Sequence, residues 1–335
     1  MIYSIKHKIY IYLLKNKKLN GRFYKILNSL NMFCFHYKRG SERKKFGQQN
    51  PDKTFYIIRP NGIQAGLMSL YWKAIEDCDY ALGKGYYPII DMKNYKTQYY
   101  LGKNENIWDI FFLQPTSYSL EEVYKSKNVI VQGEFETKEV KEIKERKDNI
   151  GIYKYKYDEN SNKRKRMFIK KYLDINDNIK NMAEEYGKDI SSLSCIGVFL
   201  RGTDYTNIKP KNHYIQPEIE AVIGKIDEFL EKYKVDKIFL VTEDFAIKEK
   251  FTKYYKKKMY PDIGKTIKNY DNRDFLFQYI PEKEKIDNAK LYLVKLLLLA
   301  KCDYFITSIT NGSIFSLAYS EGFKDCFVFN LGVYK

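Results

Sequence analysis

Cys195-Ile196-Gly197-Val198-Phe199-Leu200-Arg201-Gly202-Thr203-Asp204-Tyr205 is the stretch on which the fold turns. An apolar run, Ile196 to Leu200, stops abruptly in a polar, glycine-containing turn. A short run closed in that way reads as a strand buried on both faces, the pattern of a parallel sheet. In open α/β sheets the ligand sits in the crevice outside the carboxyl ends of the strands. The run therefore delivers a guanidinium (Arg201), a hydroxyl (Thr203) and a carboxylate (Asp204) to the edge where such a sheet binds its ligand. Arginine is always charged and fits phosphate oxygens with two parallel N–H bonds. A plain salt bridge between Arg201 and Asp204 is the competing reading of the same residues.

Working outward, the C-terminal half keeps the same rhythm. Helical spacing covers Pro217 to Tyr233, a strand follows at Lys237 to Thr242, and a helix at Phe245 to Tyr255. A further helix spans Ile286 to Lys301, then come a strand at Asp303 to Thr307, a helix at Gly312 to Glu321 and a last strand at Cys326 to Asn330. The first half begins its alternation later. Thr54 to Ile58 reads as a strand, and a turn rich in Gly and Asn, Arg59 to Gly66, follows it. Apolar residues at helical spacing run from Leu67 to Leu82, stopped by Gly83 and Gly85. Tyr86 to Asp91 and Asn128 to Gln132 read as further strands, and the βαβ order implies a parallel sheet. Glu134 to Arg166 is charged and tyrosine-rich, and a helix-like segment spans Met167 to Tyr186. The expected organisation is a basic appendage over residues 1–52, an N-terminal α/β domain over 53–187, and a C-terminal α/β domain over 188–335. Each domain carries a parallel sheet, and the two face each other across a cleft.

The chain of 335 residues is 44% hydrophobic, ample for a packed core. Lys and Arg number 59 against 42 Asp and Glu, a net charge of +17. Such an excess suits a polyanionic partner. Here lysine is scattered over nearly every segment, as in AT-rich genomes, and no nucleic-acid-binding motif is visible, so no nucleic-acid partner is expected. The five cysteines are dispersed without a C-x-x-C pair, which fits a reducing cytoplasm and argues against zinc. The longest apolar stretch, Leu291 to Ala300, is broken by Lys295 and is short of the ~20 residues of a membrane span. The basic, partly aromatic N-terminus lacks a signal-peptide core; it is read as a solvated helix packed on the body, with peripheral contact to an anionic membrane as the alternative.

Three strand-end motifs of the second half carry complementary chemistry. The first is Arg201-Gly202-Thr203-Asp204, with His213 downstream. The second is Thr242-Glu243-Asp244, and the third is Ser308-Ile309-Thr310-Asn311-Gly312-Ser313. Parallel strands bring all three to one sheet edge, where the helix led by Asn311, Gly312 and Ser313 offers unspent N–H groups and a favourable dipole to phosphate. Glu243 and Asp244 are placed to accept hydrogen bonds from ribose or base. Taken singly, Thr310 and Asp244 read equally as helix N-caps. The Asp77-Cys78-Asp79 run falls inside a helical pattern and reads as helix surface rather than as a metal loop.

The segment from Gly197 to Asp204, the run Leu240 to Asp244, and the segment Ala300 to Asp303 with Ser308 to Ala318 resemble the three characteristic peptide regions of the α1,2-, α1,6- and protein O-fucosyltransferase superfamily. The N-terminal AGLMSLYWKAIEDCDYALGKGYYPIIDMKNY and NIWDIFFLQP are similar to members from bacterial capsule and surface-glycan clusters. The resemblance implies a GT-B-like fold, an inverting mechanism without a metal or other cofactor, and GDP-fucose as donor. It implies that Arg201 holds the β-phosphate, that Glu243 and Asp244 lie near the donor, and that Ser308, Thr310, Asn311, Gly312 and Ser313 contact the pyrophosphate, with Gly202 and Thr203 beside them. The superfamily often carries His at the position of Phe199 and a second Arg at that of Gly202.

Asp204 and His213 are the candidate general bases by chemistry, and the turn containing Asn61, Gly62 and Gly66 is expected to meet acceptor or donor. The implied partners are a nucleotide sugar and a glycan acceptor, lipid-linked in one version, in the cytoplasm or at the inner membrane face. The alternatives are a GT-B transferase with another sugar nucleotide, and a non-catalytic nucleotide- or glycan-binding protein.

Overall fold

The computed structural model describes residues 41–60, 65–95, 97–100, 105–133, 150–152, 154–202, 206, 208–263 and 280–335. Two four-stranded sheets organise them. The first holds β1 (Glu42–Lys44), β2 (Gln49–Ile58), β3 (Tyr87–Ile90) and β4 (Ser126–Val131) in the order β1-β4-β2-β3. β2 runs parallel to both β3 and β4, and β1 joins the edge antiparallel to β4. The second holds β5 (Cys195–Phe199), β6 (Lys237–Val241), β7 (Tyr304–Ser308) and β8 (Asp325–Phe329), all parallel, in the order β6-β5-β7-β8.

Nine α-helices are described: α1 (Leu67–Gly83), α2 (Trp108–Phe111), α3 (Leu120–Val123), α4 (Glu159–Tyr172), α5 (Asp177–Tyr186), α6 (Ile219–Lys232), α7 (Phe245–Tyr255), α8 (Lys285–Ala300) and α9 (Asn311–Tyr319). Continuous apolar runs behave as the sequence implies. Phe55 to Ile58 and Cys195 to Phe199 are buried throughout, because helices or loops cover both faces of each sheet. Alternate residues divide the second sheet. Phe199 and Phe305 face α8, whereas Ile196 and Val198 face α6 and α7. Full burial of one such side chain contributes roughly 1.5–3 kcal/mol.

Three boundaries differ from the sequence reading. The first sheet reaches back to Glu42, into the expected appendage, because β1 and the start of β2 are exposed edge segments whose charged residues carry no apolar signal. The single helix read over 167–186 is two helices. Residues 173–176 leave helical geometry to pair with the end of α2: Leu113 N–H donates to Asp174 O at 2.7 Å and Asn176 N–H to Phe111 O at 3.0 Å. α4 begins at Glu159, capped by Asp158, where the run of charged residues conceals the buried Asn162, Lys165 and Ile169. Asp77 also departs from expectation. It is buried, not on the helix surface, because α1 is covered on more than one side.

That second covering joins the sheets into one molecule. α1 lies against α9, with the Trp72 indole Nε1 donating to Asn311 O at 2.9 Å and the Tyr71 and Phe315 rings edge to face at 5.6 Å. α4 and α5 precede Gly187 but pack on α9 and α8 of the second sheet. Tyr319 Oη donates to Asp174 Oδ1 at 2.7 Å across this seam. Among the described residues no helix is long and apolar enough to cross a membrane. Cys78, Cys195 and Cys302 are buried and unbridged, and Cys326 is half-buried and unbridged.

Candidate functional site

Register places the three motifs side by side. Phe199 on β5 is level with Val241 on β6 and Thr307 on β7, so Arg201, Glu243 and Ser308 all emerge at the carboxyl edge. There Arg201 Nε meets Glu243 Oε1 at 2.9 Å, and the Gly202 N–H donates to the same oxygen at 3.0 Å. Both side chains are largely shielded, with 21% and 15% of their area exposed. The pair orients the guanidinium at the strand end and offsets part of its charge.

Gly202 is there for space. A Cβ at this position would stand 2.4 Å from Asp244 Oδ2 and 2.6 Å from Asp244 Cβ. Asp244 itself caps α7, its Oδ1 accepting from the N–H groups of Ala246 and Ile247 at 2.9 and 3.1 Å. Of the two acidic residues in the second motif, Glu243 therefore addresses Arg201 and Asp244 holds the helix.

The third motif divides in the same way. Thr310 and Ser313 form a reciprocal capping box at the start of α9. Ser313 Oγ donates to Ser308 O at 2.6 Å, and Ser308 Oγ donates to Gln216 Oε1 at 2.5 Å. All three hydroxyls are buried and spent on this network. The donors left over in this turn are backbone groups. The cap satisfies the Ser313 N–H, and the Ile314 N–H reaches Thr310 O, whereas the N–H groups of Asn311 and Gly312 make no hydrogen bond among the described residues. Gly312 lets another side chain come close: a Cβ there would stand 2.2 Å from Tyr292 Oη.

Of the remaining expected residues, His213 and Gly66 are described. His213 is exposed on a turn whose backbone pairs with the C-terminal tail, its carbonyl accepting from the Tyr334 N–H at 2.9 Å. Thr203, Asp204, Asn61 and Gly62 lie outside the described residues. Gly66 precedes α1 and its carbonyl accepts from the N–H groups of Ser69 and Leu70.

The carboxyl edge of the first sheet carries polar groups that the sequence reading passed over. Arg59, at the end of β2, lies 3.8 Å from the centre of the Tyr95 ring, and its Nη1 donates to Gln132 O at 3.2 Å. Past β3, Asp109 Oδ1 accepts from Gln114 Nε2 at 2.6 Å and from Asn106 Nδ2 at 3.2 Å. Partial burial raises the Asp109 carboxyl above its ordinary range, and the two amides oppose that rise. Trp72, Tyr292, Gln216 and Asp109 have no local sequence signal. Their roles arise from contacts between segments distant in the chain.

No protein-family model matches the chain, and none of the curated proteins matches it. The fold is similar to crystal structures of fucosyltransferases. One is the NodZ alpha-1,6-fucosyltransferase soaked with GDP-fucose, 13% identical, covering 80% of this chain and 93% of that one with a TM-score of 0.46. Another is the fucosyltransferase NodZ from Bradyrhizobium, at 14% identity, 80% and 92% coverage and a TM-score of 0.48. POFUT1 in complex with GDP is similar at 11% identity, 84% and 75% coverage and a TM-score of 0.34. With identities of 11–14% and TM-scores below 0.5, these similarities transfer no residue's role to this chain.

Proposed function

We propose that this chain is an inverting glycosyltransferase that moves a sugar, fucose by the motif resemblance, from a GDP-sugar to a glycan acceptor. The observation that carries the reading is the pairing of Arg201, aimed by Glu243, with the two unspent N–H groups at the start of α9. A leaving diphosphate needs charge stabilisation that is in place before the bond breaks. An arginine and a helix N-terminus on neighbouring strand ends supply it. The Asp77-Cys78-Asp79 run is unsuited to the alternative, a metal-bound diphosphate. Its carboxylates sit two residues apart on one helix and so point to different sides.

In this reading the second sheet binds the donor and the first sheet's edge meets the acceptor. Asp204 and His213 remain the candidate bases from the motif itself. Gly202 and Gly312 keep backbone close to the donor, and Asp244, Ser308, Thr310 and Ser313 hold the loops from behind. We place the protein in the cytoplasm, with a surface glycan or its lipid-linked precursor as acceptor.

The test is incubation with GDP-fucose, GDP-mannose, UDP-glucose and UDP-galactose, scored for nucleotide release. Release of GDP from GDP-fucose, slow alone and faster with acceptor, is expected. Release from a UDP-sugar only would assign another donor. No nucleotide release together with no GDP binding would refute the reading.

A further inference from the structure

We infer that the cleft around Asp109 is a binding site for an extended, neutral oligosaccharide. The inference rests on the glycosyltransferase reading and gives its acceptor a place and a chemistry.

A cavity of about 720 Å³ opens where the loop after β3 meets the N-terminal turns of α5 and α8. That volume falls within the roughly 300–1,000 Å³ usual for small-molecule sites. Asp109 and Asn106 also line a second cavity of about 240 Å³, together with Tyr118. The two cavities share Asn106 and Asp109 in their linings and so lie side by side.

Position favours a substrate. Asn106 Nδ2 donates to Ile90 O at 2.9 Å, which ties this loop to the carboxyl end of β3. α8 enters β7 from its own C-terminus, so its first turn lies toward the carboxyl edge of the second sheet, where Arg201 emerges.

Chemistry selects the occupant. Glu105, Asp109 and Asp287 bring three carboxylates to the larger cavity, and Lys283 and Lys290 bring two ammonium groups. A net negative lining disfavours a nucleoside diphosphate. It suits hydroxyl groups, which donate to carboxylates and accept from ammonium and amide. Asp109 is set up for this. Two amides pin its Oδ1, and its Oδ2 has no partner among the described residues. The side chains of Glu105, Asn178 and Lys283 also line this cavity. Ile110, Ile179 and Met182 supply an apolar floor for the C–H faces of sugar rings.

Saturation-transfer NMR on the full chain tests this. The probes are tetrasaccharides built from glucose, galactose or N-acetylglucosamine at millimolar concentration, with a parallel titration of GDP. The variants are Asp109→Ala, which removes the open carboxylate, and Asn178→Trp, which fills the cavity from an exposed helix position. Saturation of at least one probe by the wild type, weakened tenfold or more in both variants while GDP binding stays unchanged, is the expected result. No saturation of any probe, or equal saturation in wild type and variants, overturns the inference. GDP binding without oligosaccharide binding sinks this inference alone, whereas oligosaccharide binding without GDP binding sinks the transferase reading and leaves the glycan site.

Discussion

Arg201 and Glu243 meet at 2.9 Å on adjacent strand ends, and the backbone of Gly202 binds the same carboxylate oxygen. A single acidic side chain thus fixes both the arginine and the backbone that follows it. Removing Glu243 takes away this contact and leaves the arginine charged. Glu243→Gln retains an oxygen for the Gly202 N–H and loses the ionic contact. The bond from the Gly202 N–H to the Glu243 carboxylate is charge-assisted, a class that contributes about 1.5–3 kcal/mol, and it weakens when the acceptor becomes neutral. The expected result is a kcat/KM for donor turnover lowered about tenfold or more, in a variant that stays folded with its melting temperature lowered by several degrees. Equal turnover in the variant and the wild type would show that the pair is a structural salt bridge only.

Gly202→Ala is expected to disturb two things at once. The new Cβ would lie 2.4 Å from Asp244 Oδ2 and 2.6 Å from Asp244 Cβ, so it displaces the residue that caps α7. Overpacking costs about 1–3 kcal/mol, and loss of a cap about 0.5–2 kcal/mol. Asp244→Ala removes the cap without the clash. Denaturant titration should therefore rank wild type above Asp244→Ala and Asp244→Ala above Gly202→Ala. The reverse order of the two variants would mean that the glycine site relaxes freely.

Gly312 and Tyr292 should be energetically coupled. A Cβ at Gly312 would stand 2.2 Å from the Tyr292 hydroxyl and 3.2 Å from its Cζ. Gly312→Ala alone should lower stability and displace the first turn of α9. Tyr292→Phe deletes the clashing oxygen and should restore much of the loss. A double-mutant cycle measures the coupling, expected in the range of about 0.5–3 kcal/mol for residues in contact. Strict additivity would contradict the close approach.

Lys165 gives a pH test. It is buried on α4, its Nζ donating to Ser161 Oγ at 2.7 Å, and burial pulls its pKa down to about 8. An unfolded lysine titrates near 10.4. Between about pH 8 and 10.4 the unfolded chain therefore binds more protons at this site, so stability rises with pH through that window. Below pH 8 the full cost of charging the buried group is present. Lys165→Met removes that cost, and at pH 7 the variant should be the more stable by an amount on the order of 2 kcal/mol. The difference from wild type should shrink as the pH approaches 10. A pH-independent difference would mean that the ammonium is solvated in the folded state.

Much of this is legible in the sequence alone. The buried runs Phe55 to Ile58 and Ile196 to Leu200 announce parallel strands because both faces must be apolar. The co-location of Arg201, Glu243 and Ser308 follows once those strands are parallel. What the sequence hides is the choice each polar residue makes between ligand and cap. Asp244 and Glu243 are adjacent and chemically alike, yet one caps α7 and the other turns to Arg201. That choice depends on the direction in which the chain leaves β6. Trp72 is similarly opaque. Its burial makes sense only when α9, from the other end of the chain, lies beside α1. Asp109 becomes conspicuous through Gln114 and Asn106, which fold back on it from both sides.

Calorimetric titration of GDP into the wild type and into Arg201→Ala, with EDTA present throughout, bears most directly on the donor site. Wild-type binding in the micromolar range, weakened at least tenfold in a variant that remains folded, is expected. Equal GDP affinity in the two proteins, or wild-type binding only after a divalent ion is restored, would contradict a diphosphate held by Arg201 and the first turn of α9.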